Sequence, residues 1–285
     1  MKILIGYNGS RIAEEALEDL KHAGLPEDVE IDVLSVEESR HTADGADEAI
    51  SHARYAKQRL TERFRFLNVK AETTTGSPGY EILNASSAFG ADLIVLGEEH
   101  TPLDERNMFL RSTCQKVLTE AECSVRIARG NPNRDSSPSR IIIGFDGSPG
   151  AEMAVEAVAS RHWVPNTEVR LVVVTDSAVL SSIGRFSPQM ANPRIEARIA
   201  GQWAATLTEV PLRKLKNAGL NAVLCVESGD PKNVLVKAAD AWNADSIFVG
   251  PHCLGNSFER FLLGSVSASV AACAHCSVEI VRVAK

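Results

Sequence analysis

Residues 141–148 read IIIGFDGS and residues 3–10 read ILIGYNGS, the same phrase at an offset of 138. A β-branched run that ends in glycine and enters Asp-Gly-Ser or Asn-Gly-Ser spells a buried strand, a tight turn and a helix cap. Further along, Gly76-Ser77-Pro78 returns as Gly229-Asp230-Pro231, at an offset of 153. Ala91-Asp92-Leu93-Ile94-Val95-Leu96-Gly97 returns as Ala244-Asp245-Ser246-Ile247-Phe248-Val249-Gly250, again at 153. So does Cys123-Ser124-Val125-Arg126-Ile127, as Cys276-Ser277-Val278-Glu279-Ile280. The chain is written twice. The change of offset places 15 extra residues in the second copy, around 176–195. Gly130 to Arg140 is rich in Pro, Ser, Asn and charge and reads as a linker. Two domains follow, 1–130 and 139–285.

Each copy alternates strand and helix. In the first, apolar runs at 2–7, 30–36, 92–97 and 124–128 have the composition of strands buried on both faces, and a weaker strand is read near 69–75. Helical periodicity covers 11–22, 46–66, 80–89 and 111–121. In the second, strands are predicted near 140–145, 168–175, 221–227, 245–250 and 277–283, and helices near 150–161, 192–217, 232–242 and 265–274. Such alternation builds a parallel sheet with helices on both faces. Right-handed crossovers and short connections favour a doubly wound, Rossmann-like order, so the fold class is α/β with two repeats of one sheet unit.

The composition bounds the function. Of 285 residues, 44% are hydrophobic and 24% charged, ordinary for a globular chain. The opening Lys2-Ile3-Leu4-Ile5-Gly6 already reads as a strand, and no run is long enough to span a bilayer. A cytoplasmic protein without a membrane partner is expected. A net charge of −7 argues against nucleic acid. The charge is uneven: residues 1–129 carry 15 Lys/Arg against 23 Asp/Glu, and residues 130–285 carry 15 against 14. Only the second half suits a polyanionic ligand. Cys273 and Cys276 form a C-x-x-C beside His275, with His252-Cys253 nearby in sequence, which spells a zinc or redox site. Cys276 has a counterpart in Cys123, which lacks the second cysteine, so a small apolar residue entering a buried strand explains the match better.

In a doubly wound sheet, ligands sit beyond the carboxyl ends of the strands where the winding reverses. There the second copy places GPHCLGNSFERFLLGSVS, residues 250–267: a strand end, a glycine-containing loop and a helix opening with Gly264-Ser265-Val266-Ser267. Glycine allows close backbone approach, and unpaired amides at a helix start point at an anion. Asp146 faces this loop across the reversal point and offers acceptor oxygens to a ribose or base. The combination suits a nucleoside phosphate. A plain βα loop with a serine cap, and a plain Asp-Gly-Ser turn, would be spelled the same way.

These residues resemble the universal stress protein family, as a tandem pair covering nearly the whole chain. The resemblance implies an adenine nucleotide alpha hydrolase-like fold, with five parallel strands in the order 3-2-1-4-5. Its nucleotide-binding branch carries Gly, two residues, Gly, nine residues, Gly, then Ser or Thr. The second copy matches at Gly250, Gly264 and Ser265, with Val266 and Ser267 following. Asp146 matches the acidic residue that touches the ribose, and Val174 falls where the family's backbone recognises adenine. Cys253 stands where the second glycine belongs, the loop is one residue longer, and Gly255 takes the missing role. In the first copy Asn8 replaces the acid, Arg111 stands at the position of Gly264, and Glu98 and Glu99 follow Gly97. The bulk of Arg111 and the charge of the two glutamates are expected to exclude phosphate there.

The resemblance implies a regulatory ATP-binding module of the stress response, with ATP, with or without magnesium, in the second domain. Arg185 or Arg260 would supply positive charge, since no Walker-type lysine is visible. The final strands of the two copies are expected to lie antiparallel, making an intramolecular pseudo-dimer; further association of two chains stays open. Two alternatives are carried: a ligand-free interaction protein of the same fold, and a slow ATP hydrolase. For the latter His252 is the nearest candidate base; no catalytic residue or metal ligand is assigned.

Overall fold

A computed structural model describes residues 1–38, 43–64, 68–99, 110–129, 138–175, 193–251 and 263–282. The first half runs β1 (Lys2–Gly6), α1 (Arg11–Asp19), β2 (Glu30–Glu37), α2 (Ala43–Arg63), β3 (Asn68–Thr75), α3 (Pro78–Phe89), β4 (Leu93–Gly97), α4 (Ser112–Glu120) and β5 (Ser124–Ala128). The second runs β6 (Arg140–Gly144), α5 (Pro149–Ala159), β7 (Glu168–Thr175), α6 (Pro193–Asn217), β8 (Asn221–Ser228), α7 (Pro231–Trp242), β9 (Ser246–Val249), α8 (Ser265–Cys273) and β10 (Ser277–Ile280). The strand–helix alternation read from the apolar runs is therefore observed, with boundaries moved by a few residues. Between β7 and α6 lie residues 176–192, against 38–42 between β2 and α2, so this connection accounts for most of the extra length.

The strands form one ten-stranded sheet in the order β3-β2-β1-β4-β5-β10-β9-β6-β7-β8. Each half is the expected 3-2-1-4-5 arrangement, parallel throughout. At the centre β5 and β10 pair antiparallel, Val125 against Ile280, Arg126 against Glu279 and Ile127 against Val278. Side chains alternate across a sheet. Val125, Ile127, Val278 and Ile280 join an apolar layer that runs through both halves, while Ile5, Val33 and Val95, and Ile143, Leu171 and Val173, belong to separate layers on the other face.

Helix starts are specified locally. Ser10 caps α1 by accepting the Ala13 N–H, and Ser148 caps α5 by accepting the Ala151 N–H, each at 3.2 Å. Proline leads α3, α5 and α7, where its missing N–H costs nothing. Gly9 and Gly147 turn the chain into α1 and α5 at φ +72° and +78°, a region that side-chain-bearing residues avoid.

Two arginines lock the halves together. Arg129, beyond β5, donates to the carbonyls of Ala271 (2.6 Å), Ala272 (3.5 Å) and Cys276 (3.5 Å), around the end of α8. Arg282, its counterpart in the repeat, donates to Leu118, Ala121 and Cys123, around the end of α4. A cation at a helix C-terminus meets carbonyls that have no intrahelical donor. Both arginines are buried, and burial pulls the pKa of each guanidinium down. Among the described residues no helix is long and apolar enough to cross a membrane.

Candidate functional site

The second half has a hollow of about 280 Å³ at the carboxyl ends of its central strands. Three sides are built by different elements. The β6–α5 turn brings Asp146 and Ser148. Strand β7 contributes Val172 and Val174, two residues apart and so on one face, and α7 contributes Pro231 and Leu235, one turn apart. The third side is the end of β9 with the start of α8: Val249, Gly250, Pro251, Gly264, Ser265, Val266 and Ser267. An apolar slot thus lies between an acidic turn and a helix start. The first amides of α8 have no intrahelical acceptor, and among the described residues no side chain caps them.

Seven residues singled out in the sequence line this one hollow: Asp146, Val174, Gly250, Gly264, Ser265, Val266 and Ser267. Gly255 lies outside the described residues, as do Cys253, His252, Arg185 and Arg260. The remaining apolar wall was not anticipated. Its signal was present: Val172 is two residues before Val174, and Pro231 belongs to the repeated Gly-x-Pro phrase.

Several site residues have structural duties as well. Asp146 Oδ1 accepts the Ser148 N–H at 2.9 Å. Ser267 is buried and its hydroxyl donates to the Gly250 carbonyl at 2.8 Å, tying α8 to β9 instead of serving as a spare donor. Gly250 was expected to admit a ligand, but its reason is packing. A Cβ there would lie 2.1 Å from the carbonyl of Gly150, where α5 crosses the strand end. In the first half Gly97 is required for the same reason, its Cβ position lying 2.6 Å from the carbonyl oxygen of Ile12.

The corresponding hollow of the first half is smaller, about 160 Å³, with Asn8, Leu34, Val36, Ile82 and Arg111 in its lining. Part of its helix start is occupied by the protein itself, while Ser112 and Thr113 of the first turn border a neighbouring hollow of about 430 Å³ with Lys116. The Glu98 side chain is 4% exposed and its carboxylate accepts the N–H of Arg111 at 2.9 Å and of Glu99 at 3.0 Å. Arg111 is the residue that leads α4, so Glu98 places a carboxylate beside that helix start. The Arg111 side chain is 55% exposed and turns outward to Glu99 at 2.8 Å. Arg111 lines the hollow as expected, its Nε 3.5 Å from Glu98 Oε1, and Glu98 adds a buried carboxylate beside it. At the counterpart of Glu98 the second half has Pro251, which carries no acid.

The C-x-x-C cysteines are placed as packing residues. Cys273 and Cys276 are buried, and burial pushes both thiols up, Cys276 to about 12. Among the described residues no three His, Cys, Asp or Glu side chains gather as a metal site.

A doubly wound sheet with an amide-lined hollow at the reversal point defines a class of small-ligand-binding α/β proteins. The chain belongs to the universal stress protein family, whose model matches residues 1–129 and again 138–282. It is 34% identical over 144 residues to a universal stress protein of Staphylococcus aureus (strain USA300), covering 50% of this chain and 82% of the relative. Two solved structures share the fold over 99% of this chain. A universal stress protein from Archaeoglobus fulgidus DSM 4304 is matched over 98% of its length at 21% identity and TM-score 0.66. One from Pseudomonas aeruginosa UCBPP-PA14 is matched over 92% at 15% identity and TM-score 0.62.

Proposed function

We propose that this protein is a regulatory adenine-nucleotide-binding module of the stress response, taking one ATP per chain in a domain spanning 139–285. The domain spanning 1–130 is its structural partner in an intramolecular pseudo-dimer. The observation that carries this reading is the contrast at the two helix starts. The amide of Arg111, which leads α4, already donates to the Glu98 carboxylate, whereas α8 opens on Gly264, which has no side chain, and Pro251 stands in place of the acid.

The residues fit the ligand. Val172, Val174 and Leu235 form an apolar slot for a flat base, Asp146 presents an acceptor toward a ribose hydroxyl, and the amides from Gly264 to Ser267 face the phosphates. The volume of about 280 Å³ sits at the lower edge of the range of roughly 300–1,000 Å³ usual for small-molecule sites. Magnesium would be held chiefly by the phosphates, since Asp146 is the one carboxylate among the described lining residues.

Calorimetric titration with ATP and magnesium tests the reading. One equivalent is expected, and none in Gly264→Arg, which introduces the first half's residue. Two equivalents, or none in the parent chain, would contradict it. The ligand-free reading has one observation in its favour: Asp146 and Ser267 each already make a hydrogen bond within the protein. Mass spectrometry of gently purified protein separates the two, because co-purifying adenine nucleotide supports binding and its absence supports the interaction protein.

A further inference from the structure

At the junction of the halves four charges, three buried and one partly buried, stand in an alternating row. Asp19, at the end of α1, accepts from Arg126 on β5, Nε to Oδ2 at 2.6 Å and Nη2 to Oδ1 at 3.1 Å. Arg126 reaches across to Glu279 on β10, Nη1 to Oε2 at 3.5 Å. Glu279 in turn holds Arg161, which follows α5, through both carboxylate oxygens, one at 2.9 Å. Two hydroxyls complete the crossing. Arg126 Nη2 donates to Ser246 Oγ at 2.8 Å, and Ser277 Oγ donates to Asp19 Oδ1 at 2.7 Å. Arg126 and Glu279 have no exposed surface at all.

Each half contributes one acid and one base, so neither brings a net charge to the junction. The order matters more. In the repeat Glu279 is the counterpart of Arg126, and the two are directly opposed in the antiparallel register. The pair therefore lies on the approximate twofold axis relating the halves. Joining two identical halves by the same edge would set this residue against itself. Two first halves would oppose buried Arg126 to Arg126, and Nη2 would meet Leu93, the counterpart of Ser246, which accepts no hydrogen bond. Two second halves would oppose Glu279 to Glu279. Each charge would keep the counterion of its own half, Asp19 or Arg161, but would lose its partner across the axis and face its like in a dry interface, and an unpaired buried donor adds to the cost.

We propose that the Arg126–Glu279 pair makes these final-strand edges selective. The edge of the second half accepts an edge of the first-half type, in the same chain or in another copy, and identical halves reject each other. Apolar strand pairing alone would not discriminate, because Val125, Ile127, Val278 and Ile280 are nearly interchangeable across the axis. The charge row supplies the discrimination, and with it the identity of the partner surface: a strand edge bearing arginine at its centre with an acid behind it.

The test uses the whole chain carrying a protease site inserted between residues 131 and 137. Isotope-labelled and unlabelled protein are nicked, mixed, unfolded in denaturant and refolded together, and all pairs are weighed by native mass spectrometry. Pairs of one first half with one second half should exceed identical pairs by at least about tenfold. Glu279→Gln, which removes the clash between two second halves, should raise the second-half pairs at least tenfold over the parent. Comparable amounts of identical pairs in the parent, halves that refold without pairing, or a population of second-half pairs unmoved by Glu279→Gln would each overturn the proposal.

Discussion

The carboxylate of Glu98 accepts the backbone N–H of Arg111 at 2.9 Å, so the start of α4 carries an anion that belongs to the chain. A charge-assisted bond of this kind, buried and with a second donor at Glu99, stabilises the loop that follows β4. Glu98→Gln should lower the unfolding free energy by about 1–2 kcal/mol in a denaturant titration. Under the nucleotide reading, the double variant Glu98→Gly with Arg111→Gly should raise the ATP stoichiometry from one to two in calorimetry.

Two glycines of the second hollow should respond oppositely. Gly250→Ala puts a methyl 2.1 Å from the Gly150 carbonyl, and backbone must move. A loss of about 3 kcal/mol of stability is expected, read as a lowered urea midpoint. Gly264 has φ −67°, an angle any residue adopts, and Arg111 holds nearly the same angles in the first half. Gly264→Ala should stay within about 1 kcal/mol of the parent in stability while weakening nucleotide binding.

Arg129 and Arg282 each serve three carbonyls across the junction. Replacing Arg129 by Met keeps the apolar stem but leaves buried carbonyls without donors. A loss of about 2–4 kcal/mol is expected, with unfolding still one transition if the halves remain coupled. Differential scanning calorimetry reads both quantities.

His22 gives the protein an acid-side limit. It is buried beside Ser139, with Nε2 unpartnered among the described residues. Burial holds its pKa below the ordinary 6.5; Asp245 and Asp19 pull it up, and Lys21 and Arg126 push it down. Below pH 6.5 the unfolded chain takes up a proton that the folded chain resists. The stability that His22 contributes is complete above that pH and is lost as the pH falls, by up to about 1.4 kcal/mol per unit. Urea midpoints measured from pH 7 to 5 should decline, and His22→Gln should flatten the decline.

Much of this architecture was legible. The repeated strand–glycine–serine phrase located both first strands, and apolar runs located the strands buried on both faces, which have little room for polar residues; the edge strands β3 and β8, largely exposed, give a weaker signal. The hollow was legible in outline, since Asp146, Val174 and Gly264 occupy strand ends and a helix start that topology brings together. Residue roles were harder. Gly250 and Gly97 match a ligand-binding pattern, yet each is fixed by backbone contact with α5 or α1. Glu98 was read as a source of repulsion, although its carboxylate accepts the Arg111 amide. The row from Asp19 to Arg161 was not legible at all, since its members come from four elements and Asp19 and Arg126 are 107 residues apart. Charged residues inside apolar strands signal only that a partner exists, not which one.

Helix α8 spans nine residues, a rod about 13 Å long. Its leading end forms one wall of the second hollow, and its trailing carbonyls are gripped by Arg129 from the other half. One short rod therefore borders the hollow of its own half at one end and meets the other half's arginine at the other, so the two features share a single rigid element.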